Sequence, residues 1–117
     1  MNTLANKEII LSKKGDSAMS QQDAEELLQS LSGWSIIHDN GMDKLVKIYE
    51  LDDYKQTMSL TNKFGLIAEQ YNHHPVIVTE WGKVTVTWWT HVIGGLHLND
   101  FIMAAKCDRI AMLIQGL

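Results

Sequence analysis

The sequence is poor in the features that mark secreted, disulfide-stabilised and membrane-spanning chains. It has a single cysteine, Cys107, and one cysteine cannot form an internal disulfide, which predicts a reducing compartment. No window approaches the roughly 20 consecutive apolar residues that a membrane-spanning helix needs. The first residues lack the apolar stretch and the small-residue cleavage site of a secretory leader. These absences predict a cytoplasmic protein with no membrane partner.

The sequence also lacks an excess of positive charge. It has 10 Lys and Arg against 14 Asp and Glu, a formal net charge of −4. A nucleic-acid-binding surface needs clustered basic side chains to neutralise phosphates, and apart from Lys13 and Lys14 the lysines are scattered. The composition therefore argues against a nucleic-acid partner.

What the chain does contain suits one globular domain. Its 117 residues, 45% apolar and 21% charged, can bury a core without a disulfide or a metal. Residues 1–18 mix small and polar residues with a short apolar patch. They are interpreted as an N-terminal extension, either a tail or an added edge strand, and residues 19–117 form the predicted domain.

Sequence patterns in residues 19–117 predict helices alternating with antiparallel strand pairs. Asn40-Gly41 is the strongest short hairpin signal, because both residues tolerate positive φ. The only proline, Pro75, biases His74 away from helix. The predicted helices cover residues 20–33, 52–71 and 99–114, and the predicted strands cover residues 34–39, 42–50, 76–80 and 83–90. This order predicts an α+β fold, a four-stranded antiparallel sheet with three helices packed on one face.

The predicted fourth strand has one apolar face and one polar face. Because successive strand residues point to opposite faces, one set of side chains faces the helices and the other faces away from them. The inward set is Val84, Val86 and Trp88, and the outward set is Thr85, Thr87, Trp89 and His91. Trp88 is therefore predicted to be a core residue, whereas Trp89 fits either a pocket or an interface.

Four of the five histidines fall between residues 73 and 97, and histidine is the side chain best suited to proton transfer near neutral pH. His73 and His74 lie at a predicted helix-to-strand corner, and His91 ends the predicted fourth strand. Glu69 lies one helical turn before His73, and Asp100 lies in the first turn of the last helix. Reactive groups gather at strand ends, loops and helix N-termini. The pattern predicts a pocket of two or three imidazoles with carboxylates that orient them.

The spacing of these residues resembles the signature of the pterin-4a-carbinolamine dehydratase family. The signature consists of Glu69, His73-His74-Pro75, Trp81, His91 and Asp100, separated by three, five, nine and eight residues. Further similarities are Gly33-Trp34, Lys83-Val84, Thr90-His91 and Gly95-Leu96. The resemblance covers about residues 19–115. A lone His-His-Pro would be a weak signal, but here seven restricted positions agree without a gap.

The resemblance implies a hydro-lyase that converts a 4a-hydroxytetrahydropterin to quinonoid dihydropterin. Protonation of the 4a-hydroxyl and loss of the proton on ring nitrogen 5 are acid/base steps that histidines perform without a metal or a cofactor. By position, His73, His74 and His91 are the catalytic residues that the resemblance implies. His73 and His74 would transfer protons, and His91 would bind the hydroxyl or help to protonate it.

The resemblance implies supporting roles for four further residues. Glu69 would orient His73 or adjust its basicity, and Asp100 would hold an imidazole or the start of the last helix. Trp81 and Trp89 would line the flat pterin ring, since offset stacking on an aromatic ring is favourable.

The chain departs from the family pattern at His97, where members often carry Ser or Thr as the helix N-cap. Histidine is a less favourable N-cap residue than Ser or Thr. The geometry of the helix start around Asp100 is therefore expected to differ from the family pattern. An alternative interpretation makes His97 an additional imidazole of the pocket. A zinc site built from His73, His91 and either Asp100 or His97 is a further alternative, although the chain has no Cys pair and no His-x₃-His spacing on one helix face.

The resemblance leaves a second functional class open. Some family members resemble coactivators that stabilise a dimeric homeodomain partner, so the alternative is a non-catalytic pterin-binding or dimerisation protein on the same fold. The three retained imidazoles favour catalysis. The resemblance implies that the chain forms a homodimer or a homotetramer, as members of the family do. An aromatic amino acid hydroxylase is the expected source of substrate, in tetrahydrobiopterin-type cofactor recycling.

Overall fold

A computed structural model describes residues 3–10 and 16–115 of the chain. Its helices and strands, in chain order, are α1 (Gln21–Leu28), β1 (Ser35–Asp39), β2 (Met42–Glu50), α2 (Tyr54–Tyr71), β3 (Val76–Glu80), β4 (Lys83–Trp88) and α3 (Leu98–Gln115). Two short 3-10 turns are formed by Thr3–Asn6 and His91–Ile93. Within these residues, none of the helices combines the length and apolar character that crossing a membrane requires.

The four strands form one antiparallel sheet in the order β1-β2-β4-β3, and the helices pack on one of its faces. The predicted α+β fold is therefore confirmed. Strands β2 and β3 begin and end at the predicted residues. The hairpin between β1 and β2 turns at Asn40 and Gly41, whose φ angles of 54° and 74° are the positive values that a tight two-residue hairpin needs.

The helices cover the sheet face that carries the large apolar side chains. Val84, Val86 and Trp88 are fully buried, as the alternation along the fourth strand predicted. Across the β2–β4 register, Trp88 faces Leu45 and Val84 faces Tyr49, and both partners are buried too. The opposite face, here called the open face, has no helix over it. Its residues, by alternation along the four strands, include Ile37, Lys44, Val46, Ile48, Val76, Val78, Thr85 and Thr87.

Strand β4 ends two residues earlier than predicted, and His91 does not end a strand. The backbone beyond Trp88 turns back on itself. Thr90 N–H donates to the Gly95 carbonyl at 2.9 Å, and Gly94 adopts a φ of 68°. This bridge closes a loop in which His91 begins the 3-10 turn. The prediction was wrong because a contact within the loop replaces pairing with β2.

Helix α2 ends where the backbone must turn towards the sheet. Asp53 caps its N-terminus by accepting from the Gln56 N–H at 2.8 Å, which confirms one of the two predicted caps. At the other end Asn72 adopts a left-handed φ of 50°, and the His73 N–H donates to the Ala68 carbonyl at 3.1 Å. The helix therefore stops before His73. Helix α1 also stops early, at Leu28 rather than near residue 33.

The described part of the N-terminal extension packs against α3. Leu4 and Ala5 are buried, and Lys106 donates to the Ala5 carbonyl at 2.8 Å. The Asn99 side chain accepts from the Ile10 N–H at 2.8 Å and donates to the Ile10 carbonyl. Residues 3–10 are therefore neither a free tail nor a strand of the sheet. Residues 1, 2 and 11–15, also part of the predicted extension, lie outside the described residues.

Candidate active site

A fully buried carboxylate at the start of α3 organises the candidate site. Asp100 Oδ1 lies 2.6 Å from His73 Nε2. Asp100 Oδ2 accepts from the Thr90 hydroxyl at 2.9 Å and from the His97 backbone N–H at 3.0 Å. A buried polar group is stable only when its hydrogen bonds are made, and three donors satisfy this carboxylate. Asp100 thus contacts both an imidazole and the start of α3, and its part in a pterin site stays a prediction.

His73 is held between this carboxylate and an aromatic ring. Its side chain is 13% exposed, and its imidazole stacks on Trp88 with the ring centroids 5.3 Å apart and the planes 17° from parallel. Because a carboxylate only accepts hydrogen bonds, His73 Nε2 must donate to Asp100. In the neutral imidazole Nδ1 is then the free basic nitrogen. This arrangement suits an acid/base group whose orientation and tautomer are both set by its neighbours.

Glu69 contacts His74, not His73 as predicted. The Glu69 carboxylate lies 3.2 Å from His74 Nε2, and both side chains are largely exposed, at 78% and 54%. The prediction assumed that His73 would follow Glu69 by one helical turn. The left-handed residue Asn72 instead takes the chain out of the helix, so that His73 turns towards Asp100.

His91 packs against Trp89, the residue that follows β4. The ring centroids of His91 and Trp89 are 4.7 Å apart, with the planes at 54°. Trp88 is the last residue of β4 and Trp89 follows it, so His73 and His91 each contact one of two consecutive tryptophans. Thr90, between Trp89 and His91, donates to Asp100, the carboxylate that also contacts His73.

His97 is the N-cap of α3, at the position where the family pattern often has Ser or Thr. Its Nδ1 accepts from the Asn99 N–H at 3.0 Å, while Asp100 accepts from the His97 N–H at 3.0 Å. This reciprocal pair resembles a capping box, with an imidazole nitrogen in place of the usual hydroxyl and the second helical N–H in place of the third. The same carboxylate thus orients His73 and stabilises the start of α3.

Trp81 lies away from the predicted catalytic histidines in one chain. It lies in the turn between β3 and β4 and is 72% exposed. His74 and Pro75 precede the other end of β3, so five strand residues, roughly 17 Å of extended chain, separate them from Trp81. The contact of Trp81 with a pterin ring stays a prediction. Trp89, by contrast, contacts a predicted catalytic residue.

A zinc site was the alternative interpretation of the same histidines. Within residues 3–10 and 16–115, no group of three or more His, Cys, Asp and Glu side chains has the arrangement of a metal site. In the structure His73 Nε2 and Asp100 Oδ1 contact each other directly.

Two residues of the site had no predicted role. Trp88 was predicted as a core residue only, yet its buried ring is the surface on which His73 stacks. Thr90 was noted as part of the family pattern, and its buried hydroxyl is a donor to Asp100. The signal for Thr90 was its position before His91. No sequence pattern shows which carboxylate a hydroxyl will meet ten residues away.

Comparison with known proteins places this geometry in a family. The family model described as "Pterin 4 alpha carbinolamine dehydratase" matches residues 17–110. The chain belongs to the pterin 4 alpha carbinolamine dehydratase family. The predicted resemblance is therefore confirmed, and residues 1–16, including the segment that packs on α3, precede the matched region.

Bacterial relatives match most of the chain. A Chlorobaculum tepidum protein, provisionally named a pterin-4-alpha-carbinolamine dehydratase, is 42% identical over 110 residues, which cover 94% of this chain and 99% of the relative. A Vibrio vulnificus protein with the same provisional name is 50% identical over 93 residues, covering 80% of this chain and 84% of the relative.

Solved structures of the same fold carry different functional descriptions. A Brucella melitensis structure titled as a transcriptional coactivator/pterin dehydratase superposes with a TM-score of 0.74 at 26% identity, covering 81% of this chain and 99% of that one. A pterin dehydratase-like RuBisCO assembly factor of the alpha-carboxysome superposes with a TM-score of 0.58 at 20% identity, covering 68% and 89%. The second likeness concerns the fold alone. The family supports a dehydratase, and the fold by itself does not separate catalysts from assembly proteins.

Proposed function

We propose that this family member dehydrates a 4a-hydroxytetrahydropterin to quinonoid dihydropterin by general acid/base catalysis, supporting the recycling of a tetrahydrobiopterin-type cofactor. The observation that carries the proposal is the contact between His73 and the buried Asp100 carboxylate, 2.6 Å long, beside the aromatic surface of Trp88. An aromatic amino acid hydroxylase is the proposed source of the substrate.

The reaction needs one proton delivered and one removed. The lone pair on ring nitrogen 5 forms a double bond to carbon 4a while the bond from carbon 4a to the hydroxyl breaks, and the protonated hydroxyl leaves as water. Nitrogen 5 then loses its proton. With Nε2 bonded to Asp100, His73 has Nδ1 free to exchange a proton, and the carboxylate stabilises the imidazolium that forms.

The other two imidazoles complete the proposed set. His74 is more exposed than His73 and lies beside the Glu69 carboxylate, which suits exchange of protons with solvent. His91, held against Trp89, binds the departing hydroxyl or helps to protonate it. No metal or cofactor takes part in this proposal, since both steps are proton transfers.

Kinetics of the dehydration test this proposal directly. The absorbance decay of a freshly generated 4a-hydroxytetrahydropterin is followed with the full-length protein and with the variants His73→Ala, His74→Ala and His91→Ala. We expect the wild type to accelerate the spontaneous decay and the loss of His73 to reduce the acceleration about 100-fold. His38→Ala is the matched control, because His38 is 70% exposed in the β1–β2 hairpin and pairs with Asp43.

Two outcomes would contradict the proposal at different levels. A folded wild-type protein that leaves the decay at its spontaneous rate would exclude the dehydratase function. Abolition of turnover by His91→Ala alone would leave a dehydratase but overturn the assignment of proton transfer to His73 and His74.

The second candidate is a binding or assembly function on the same fold. It is favoured by the open face, where apolar side chains remain exposed in one chain: Ile37, Ile48, Val76 and Val78 are 40%, 55%, 46% and 47% exposed. Several exposed apolar side chains on one face of a sheet favour a contact with another protein chain. A homodimer or homotetramer is proposed for this reason, and light scattering coupled to gel filtration measures it. A catalytically silent oligomer that retains a pterin in equilibrium dialysis would favour this candidate.

A further inference from the structure

Lys44 is the one lysine that is buried among the residues described, with 6% of its surface exposed. It lies on the open face of β2 and donates to Asp39 Oδ2 at 2.9 Å. The Asp39 side chain is 54% exposed, and an ion pair with such a partner contributes little stability. Burial of an ammonium group is costly, so this ion pair alone does not account for the position of Lys44.

The aromatic ring of Trp89 supplies the missing contact. Leu45 pairs with Trp88, the last residue of β4, and Lys44 and Trp89 are the residues next to this pair. Lys44 Nζ lies 4.0 Å from the centroid of the Trp89 ring. At this distance a desolvated cation is attracted by the negative face of an indole.

Trp89 depends on such contacts for its orientation. Its indole nitrogen is buried and has no hydrogen-bond partner in the described part of the chain. A buried indole N–H is usually fixed by a hydrogen bond. Here the ring is held by what packs against it, and two of those groups are Lys44 and His91, whose ring centroid lies 4.7 Å from that of Trp89.

We infer that Lys44 is a positioning residue for His91, acting through the ring of Trp89. Asp39 holds the ammonium group, the ammonium group holds the indole, and the indole fixes the imidazole. The inference rests on the proposed function for the role of His91 in the reaction, but the positioning itself is a property of the folded chain. Lys44, a residue of the open face, would thereby contribute to the candidate active site.

Proton NMR of the His91 imidazole tests the positioning without reference to turnover. The Trp89 ring current displaces the His91 ring-proton resonances, which are assigned by comparison with a His91→Gln chain. We expect Lys44→Met, which keeps the length of the side chain but not its charge, to move these resonances towards the positions of the exposed His38. Lys44→Arg retains the cation and should keep them near their wild-type positions. Lys83→Met is the control, since Lys83 is 44% exposed at the far end of β4.

Kinetics add a readout that a general loss of stability would not produce. A displaced His91 should lower kcat about fivefold in Lys44→Met with KM within about twofold, and Lys44→Arg should restore most of kcat. Trp89→Leu is the positive control for the NMR measurement, because it removes the ring whose current displaces the His91 resonances.

The outcomes separate the inference from the proposed function. Unchanged His91 resonances in Lys44→Met, or equal displacement in Lys44→Met and Lys44→Arg, would overturn the positioning role of the cation. Displaced resonances in a chain whose wild type does not accelerate dehydration would support the positioning role while excluding the dehydratase function.

Discussion

Helix α3 carries two aspartates, Asp100 and Asp108, that each bind three donors but differ in what those donors can do. Asp108 accepts from the Trp34 indole at 3.1 Å, from Lys47 Nζ at 2.8 Å and from the Tyr49 hydroxyl at 2.7 Å. It joins the helix to the sheet and to the segment after α1. Asp100 has the same number of donors at the other end of the helix.

The chemical difference lies in the donors. Burial, followed by the electrostatic effects of Cys107 and Asp108, raises the pKa of Tyr49 far above its ordinary range. One donor to Asp100 is an imidazole, the side chain that most often acts as a general acid or base in enzymes. The comparison teaches that two carboxylates with three donors each can differ in function according to the chemistry of those donors.

The largest expected effect is a difference in dehydration rate between variants of Asp100 and Asp108. Asp100→Asn should reduce the acceleration of dehydration by about 100-fold or more, because an amide can donate to His73 Nε2 and favour the wrong tautomer. Asp108→Asn should leave that rate within about threefold and lower the free energy of unfolding by about 2 kcal/mol. Stopped-flow kinetics and urea unfolding of both variants measure the contrast. Equal rate losses in the two variants would remove the distinction.

Alkaline pH should lower the free energy of unfolding through two groups near Asp108, Tyr49 and Cys107. Burial raises the pKa of Tyr49 and of Cys107, so both keep their protons in the folded state at pH values where the unfolded chain, with ordinary pKa values of 10.0 and 9.0, loses them. The unfolded state then binds fewer protons, and stability that is present below about pH 9 falls as pH rises, by about 1.4 kcal/mol per pH unit for each group.

Urea unfolding between pH 8 and pH 11 measures this slope, and Tyr49→Phe should remove the contribution of the phenol. A free energy of unfolding that rises through this pH range would show that the sign is wrong.

The smallest expected effect comes from removing one hydroxyl donor, either from Asp100 or from Asp108. Thr90→Val and Tyr49→Phe each remove a hydrogen bond to a carboxylate and should each cost about 1 kcal/mol of stability. Only Thr90→Val should also slow dehydration, by about fivefold, because His73 shares the Asp100 carboxylate with Thr90. Paired measurements of unfolding and rate test this, and a rate loss in Tyr49→Phe would argue against a purely structural Asp108 cluster.

Local patterns were enough to predict most of the fold. Strands β2 and β3 follow from alternating side chains between strong turn residues, and the Asn40-Gly41 hairpin follows from two residues that accept positive φ. The end of β4 was not predictable in this way. Thr90 could pair with β2 or with Gly95, and only the folded loop shows that it pairs with Gly95.

The partners of the site residues depended on a change of backbone direction. Glu69 and His73 have the spacing of neighbours on a continuous helix, which is why they were paired in the prediction. The helix stops at Tyr71, and the left-handed Asn72 sends His73 to Asp100 while Glu69 meets His74.

The sequence alone determined three things. These are the types of residue in the site, the family signature that they form, and the strand alternation that buries one face of the sheet. Tertiary structure decided which carboxylate meets which imidazole, how His97 caps a helix, and why Lys44 is buried. The reason is distance along the chain. His73 and Asp100 are 27 residues apart in sequence, and a contact of that separation depends on how the sheet and helices pack, not on any local pattern.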